Sequence, residues 1–106
     1  MYKLIFADDE KLVVNRIRQI VDWESSGFTL VGCCFNGYEV LEMVEKELPD
    51  VVILDINMPF ISGLDAARQI KHSYPFIRIV FLTAYAEFEY AKQAVELNAI
   101  KYILKP

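Results

Sequence analysis

The sequence predicts an α/β fold built on a parallel β-sheet, and three observations carry that prediction. Short apolar runs alternate with longer segments whose apolar residues recur at helical spacing, the mark of successive βαβ units. The short runs are apolar on both faces, as strands covered by helices above and below must be. The chain has 106 residues, 55% hydrophobic and 25% charged, which is the composition of one compact domain able to bury its own core.

The first strand is read at Lys3 to Ala7 and the first helix at Lys11 to Val21. The helix carries an apolar stripe of either Val13, Ile17, Ile20 and Val21, or Val14, Ile17 and Val21. Trp23 is placed to pin the following loop, and Phe28 to Cys34 forms the second strand. The second helix opens at Asn36, three residues before Glu39, a pairing close to a capping box. It carries Val40, Leu41, Val44 and Leu48 and stops at Pro49. Val51 to Leu54 is the third strand. The third helix runs from Leu64 to Tyr74, with Leu64, Ala67, Ile70 and Tyr74 inward, His72 toward solvent and Pro75 as its stop. Ile77 to Leu82 gives the fourth strand. A fourth helix from Ala86 to Leu97 turns Ala91, Ala94, Val95 and Leu97 to the sheet, with Asn98 suited to a left-handed C-terminal turn. Phe88 and Tyr90 on it are read as packing or interaction residues, and Lys101 to Leu104 is the fifth strand. The sequence closes at Lys105-Pro106 without a fifth helix, so the reading expects an uncovered sheet face and further chain beyond residues 1–106.

Eleven Lys and Arg against 15 Asp and Glu give a net charge of −4, the wrong sign for a segment that grips phosphate backbones. The apolar runs fall far short of the ~20 residues that span a bilayer, and no signal-peptide pattern opens the chain. Cys33 and Cys34 are the only cysteines. Strand neighbours point to opposite faces, so a bridge between them is strained, and reduced thiols packed in a strand, in a cytoplasmic protein, fit best.

The chemistry gathers at the strand ends. Asp8 and Asp9 close the first strand, Asp55 the third, Thr83 the fourth and Lys105 the fifth. In open parallel sheets, ligands bind in the crevice beyond the carboxyl ends of the strands. Carboxylates about 4 Å apart repel by roughly 4 kcal/mol at an effective dielectric near 20, so clustered aspartates call for a counter-ion. Three aspartates are balanced by one divalent ion and the Lys105 ammonium, and an all-oxygen donor set favours Mg²⁺ over Zn²⁺. A carboxylate beside such an ion can attack phosphorus, and Asp55 is the natural candidate. Lys105, the Thr83 hydroxyl and the Ala84 N–H are placed to receive the phosphoryl oxygens.

These residues resemble the receiver domain of two-component response regulators. The resemblance covers the whole chain and rests on Asp8-Asp9-Glu10, on Leu54-Asp55-Ile56-Asn57-Met58-Pro59 with Gly63, on Leu82-Thr83-Ala84 and on Lys105-Pro106. It implies a flavodoxin-like three-layer α/β/α fold with a five-stranded sheet in the order 2-1-3-4-5. It implies Asp55 as phosphoacceptor, with Asp8, Asp9, Asp55 and the Asn57 carbonyl around Mg²⁺ and with Thr83 and Lys105 holding the phosphoryl group. Tyr102 becomes the aromatic that turns inward with Thr83, and the Lys105–Pro106 bond is expected cis. The donor is expected to be a sensor histidine kinase, with only self-phosphorylation and autodephosphorylation as enzymatic activity. The segment Val21-Asp22-Trp23-Glu24-Ser25-Ser26-Gly27-Phe28 and the run from Tyr85 to Ala91 look like receivers attached to AraC-type helix-turn-helix transcription factors. The resemblance therefore implies a DNA-binding output domain outside this segment and a possible homodimer through helix four and strand five.

Plainer readings stand beside these. Asp8 or Asp9 also suits a helix N-cap, Asp55 a turn, Thr83 an ordinary strand position, Lys105 a solvated surface and Tyr102 strand packing. A haloacid-dehalogenase-like phosphohydrolase also uses Asp on Mg²⁺, but wants a second Asp two residues after the first, where this chain has Asn57. A nucleotide-binding module is disfavoured by the acidic, glycine-free turn Ala7-Asp8-Asp9-Glu10-Lys11. A stand-alone receiver without an output domain is the remaining alternative.

Overall fold

The computed structural model describes residues 1–83 and 101–104, with the backbone alone for Thr83 and for 101–104. The predicted fourth helix, the Asn98 turn, Ala84, the Lys105–Pro106 bond and the uncovered face beside the fifth strand lie outside the described residues.

Five parallel strands form one sheet: β1 (Tyr2–Ala7), β2 (Phe28–Cys34), β3 (Val51–Asp55), β4 (Arg78–Thr83) and β5 (Lys101–Leu104), in the order β2-β1-β3-β4-β5. Register explains why these segments pair. Ile5, Val52 and Ile79 stand in one row across β1, β3 and β4, and Ala7, Leu54 and Phe81 in the row two residues on. All six are buried in a single core cluster. A slip of one residue would turn both rows to the opposite face. At the other end of the sheet Asp50 ties three strands together. Its carboxylate accepts the Lys3 N–H at 2.8 Å, its own N–H donates to the Lys3 carbonyl, and its carbonyl accepts the Arg78 N–H.

The helices α2 (Gly37–Glu47) and α3 (Gly63–Ser73) cover the face that carries Ile5 and Ala7, with Val40, Val44, Leu64, Ala67 and Ile70 in the same cluster. Leu4 and Phe6 point to the opposite face. There α1 (Lys11–Ile20) buries Val14, with Ile17 and Val21 half-buried. The second of the two predicted stripes is therefore the one formed. Ile20 stands off it and is 74% exposed.

Both prolines stop their helices as expected, with one correction. Leu48, placed on the inner stripe of α2, is the C-cap at φ 46° and is 50% exposed. Pro49 disfavours the right-handed helical region for the residue before it, and the left-handed turn swings the Leu48 side chain outward. The start of α2 is close to the predicted capping box. Asn36 Oδ1 accepts the Glu39 N–H at 2.9 Å, whereas Glu39 Oε1 reaches back one residue further than in a capping box, to the Phe35 N–H at 2.8 Å. The Ser62 cap of α3, whose Oγ accepts the Asp65 N–H at 3.1 Å, was not foreseen, although Ser three residues before Asp is a readable signal. Trp23 pins its loop through its backbone carbonyl, which accepts the Ser26 and Phe28 N–H groups.

Ile5→Ala, in the central row, is expected to cost about 2 to 5 kcal/mol, and Ile20→Ala less than about 0.5 kcal/mol, as read by urea unfolding.

Candidate functional site

The strand order fixes where the site can be. From β1 the chain crosses to β2 on one side and then returns to β3 on the other, so β1 and β3 flank the point where the winding reverses. The helices that follow these two strands leave on opposite sides, and a crevice opens at their carboxyl ends. Ala7 pairs with Leu54, so the next residues, Asp8 and Asp55, stand side by side on strands about 4.8 Å apart. One strand further, Asp55 pairs with Leu82, which brings the backbone of Thr83 to the same rim, and Thr83 pairs with Leu104 of β5.

Asp8 and Asp55 are the buried charged side chains among the described residues, 0% and 3% exposed. Each makes a short local turn: Asp8 Oδ1 accepts the Glu10 N–H at 2.9 Å, and Asp55 Oδ1 the Asn57 N–H at 3.3 Å. Neither Asp8 nor Asp9 is the N-cap residue of α1: that position is Glu10, whose own side chain makes no cap hydrogen bond. The turn reading of Asp55 holds, but a turn does not require that a carboxylate be buried. Burying two like charges on neighbouring strands is costly unless positive charge joins them.

Carboxylate oxygens of Asp8, Asp9 and Glu10 lie within 4.8 Å of one another, Asp9 and Glu10 being exposed. Asp8 and Asp9 are the ligands expected from the sequence, and Glu10, in the same acidic run but with no expected role, joins their cluster. With Asp55 on the next strand, every donor is a hard carboxylate oxygen. Such a set fits a hard divalent cation that keeps part of its water shell, Mg²⁺ in particular.

Close packing positions the loop after Asp55. Gly63 opens α3 directly beneath the strand end, and a Cβ there would run into the Asp55 carbonyl oxygen, while the Gly63 N–H donates to the Ile56 carbonyl at 2.7 Å. A cavity of about 500 Å³ lies along β2 beside Trp23, and no rim residue lines it. Of the predicted site residues, Asp8 and Asp9 share a carboxylate cluster with Glu10, while Asp55 ends the neighbouring strand outside that cluster, with Asn57 exposed two residues beyond it. The side chains of Thr83 and Tyr102 lie outside the described residues, as do Ala84 and Lys105 entirely. Among the described residues, no helix is long and apolar enough to cross a membrane.

The profile of the response regulator receiver domain matches residues 4–106. The chain is 37% identical over its whole length to the uncharacterized transcriptional regulatory protein YesN of Bacillus subtilis, covering 29% of that protein. It is 31% identical to the transcriptional regulatory protein HptR of Staphylococcus aureus, covering 41% of it. Among solved structures, the REC domain of AraT, a response regulator from Geobacillus stearothermophilus, superposes with a TM-score of 0.93 at 32% identity, over 99% of this chain and 81% of that one. A LuxR-family DNA-binding response regulator from Staphylococcus aureus gives a TM-score of 0.89 at 27% identity, over 98% of this chain and 86% of that one.

Cys34, whose carbonyl accepts the Asp8 N–H, is buried beside Glu39 and Cys33. Burial, then the two neighbouring charges, push its thiol from about 9 up to about 12. Between those values the native protein keeps a proton that the unfolded chain has lost. This contribution is complete below about pH 9 and lost as pH rises, at about 1.4 kcal/mol per unit. Urea unfolding from pH 8 to 11 should show this extra slope in the wild type and not in Cys34→Ala.

Proposed function

The chain belongs to the response regulator receiver domain family, and on that premise we propose that it takes a phosphoryl group onto Asp55 from a phosphohistidine of a sensor histidine kinase. The observation that carries the reading is the pair of buried carboxylates, Asp8 and Asp55, on adjacent strands at the reversal point of the sheet, with the Asp9 and Glu10 carboxylates beside Asp8.

An Asp55 carboxylate oxygen attacks phosphorus. The P–O bond forms as the P–N bond to the donor imidazole breaks, and the departing nitrogen keeps the electron pair and is protonated. Magnesium, when bound, supplies the positive charge that lets an anionic donor approach an acidic rim. Asp8, Asp9, Asp55 and the Asn57 carbonyl would hold it, with the Glu10 carboxylate clustered beside those of Asp8 and Asp9. Burial of Asp55 on a paired strand fixes the nucleophile, and the turn to the Asn57 N–H orients its carboxylate. Thr83, Ala84 and Lys105 are assigned to the transferred oxygens, and Tyr102 to the accompanying switch. Moving a two-state domain from 1:99 to 99:1 takes about 5.5 kcal/mol, within what a few charge-assisted hydrogen bonds to a phosphoryl group supply.

The chain spans 29% and 41% of the length of these two curated relatives, which are transcriptional regulatory proteins. This supports an attached DNA-binding output domain over a stand-alone receiver; a dimer face through helix four and strand five and a cytoplasmic location are proposed alongside it. The phosphohydrolase reading has neither family membership nor a second aspartate at position 57 in its favour.

Incubated with Mg²⁺ and acetyl phosphate, the wild type should gain one phosphoryl unit by intact mass and Asp55→Asn none. Equal gain by both would overturn Asp55 as acceptor, and no gain by the wild type would overturn phosphoacceptance. Asp9→Asn should raise the Mg²⁺ concentration for half-maximal uptake about tenfold or more.

A further inference from the structure

We propose that the first turn of α2 is a positioning element for the loop that follows the phosphoacceptor, with Gly37 as the positioning residue; this rests on the reading of Asp55 and Mg²⁺ above. Residues 57–62 run from Asn57 to the Ser62 cap of α3. One end of the loop is fixed beneath Asp55 by Gly63, and its middle is held from outside, by α2.

Two contacts do this. Helix α2 passes so close to Ile61 that a Cβ on Gly37 would collide with the Ile61 carbonyl oxygen and Cβ. One residue on, the Tyr38 ring lies 6.0 Å from that of Phe60 at an interplanar angle of 41°. Phe60 is 81% exposed and sits at φ 70°, a conformation a bulky residue rarely adopts without support. Both contacts fall on adjacent residues of each partner, so they act as one clasp.

Stiffness decides which side would yield. The helix start is held by the Asn36–Glu39 and Glu39–Phe35 hydrogen bonds and by buried Val40 and Val44. The loop is held internally by the Ile61 N–H on the Pro59 carbonyl and the Gly63 N–H on the Ile56 carbonyl. Because backbone, not a flexible side-chain tip, faces Gly37, a methyl group there displaces the loop and with it Asn57, the residue assigned to present a carbonyl to the cation. Gly37 touches neither cation nor phosphoryl group. Its effect is transmitted through Ile61.

The test compares metal-free wild type, Gly37→Ala and Tyr38→Ala by amide hydrogen exchange, then by calorimetric titration with Mg²⁺ and by acetyl phosphate uptake. Faster exchange at Asn57, Met58, Phe60 and Ile61 is expected in both variants. Exchange in β1 and β3 should be unchanged, Mg²⁺ affinity about tenfold or more lower for Gly37→Ala, and phosphoryl uptake near the wild-type level at saturating Mg²⁺. Folded variants with wild-type loop exchange and Mg²⁺ affinity would overturn the proposal. Should Gly37→Ala fail to fold, Tyr38→Ala, altered at an exposed ring, decides alone. Exchange and calorimetry need no phosphoryl transfer, so a wild type that binds Mg²⁺ but gains no phosphoryl unit would count against the Asp55 reading and not against the clasp.

Discussion

Two buried carboxylates on neighbouring strands set the terms for the rest of this structure. Asp8 and Asp55 are carried to the rim because the strands beneath them are apolar enough to pair in the centre of the sheet, and the residues next after Ala7 and Leu54 stay inside the same packing. Like charges held at such depth call for positive charge or hydrogen-bond donors beside them. The carboxylates of Asp9 and Glu10 sharpen that demand and supply the donors through which a divalent cation can answer it.

The surrounding packing keeps this arrangement from relaxing. Glycine at position 63 lets α3 begin against the Asp55 carbonyl, and glycine at position 37 lets α2 begin against Ile61, so the loop between them is confined from two directions. Asn36 and Ser62 cap those helices by accepting N–H groups that would otherwise be unsatisfied. The helix starts, the loop and the strand end thus form one connected unit, in which a change at the periphery reaches the rim.

How far the sequence could be read depended on whether a signal was local. The strands β2 and β5 were legible to the residue, because apolar runs bounded by turn residues depend little on partners. The inner face of α1 is ambiguous in sequence, since valines and isoleucines stand on more than one side, and burial in the folded protein selects Val14. Leu48 was misplaced because its apolar character argued for the stripe while the following proline governed its backbone. That the Glu10 carboxylate clusters with those of Asp8 and Asp9 is not legible in the sequence, because adjacency does not say which of three acidic residues brings its oxygens together.

The sequence by itself determined the alternation of strand and helix, the acidic run after the first strand and the lone aspartate ending the third, for these follow from residue type and spacing along one segment. Only the tertiary structure decided that Asp8 and Asp55 become neighbours, that both are shielded from solvent, and that α2 lies against the loop beyond Asp55. Such facts depend on strand order and on contacts between residues tens of positions apart, and no local preference of the chain encodes those distances.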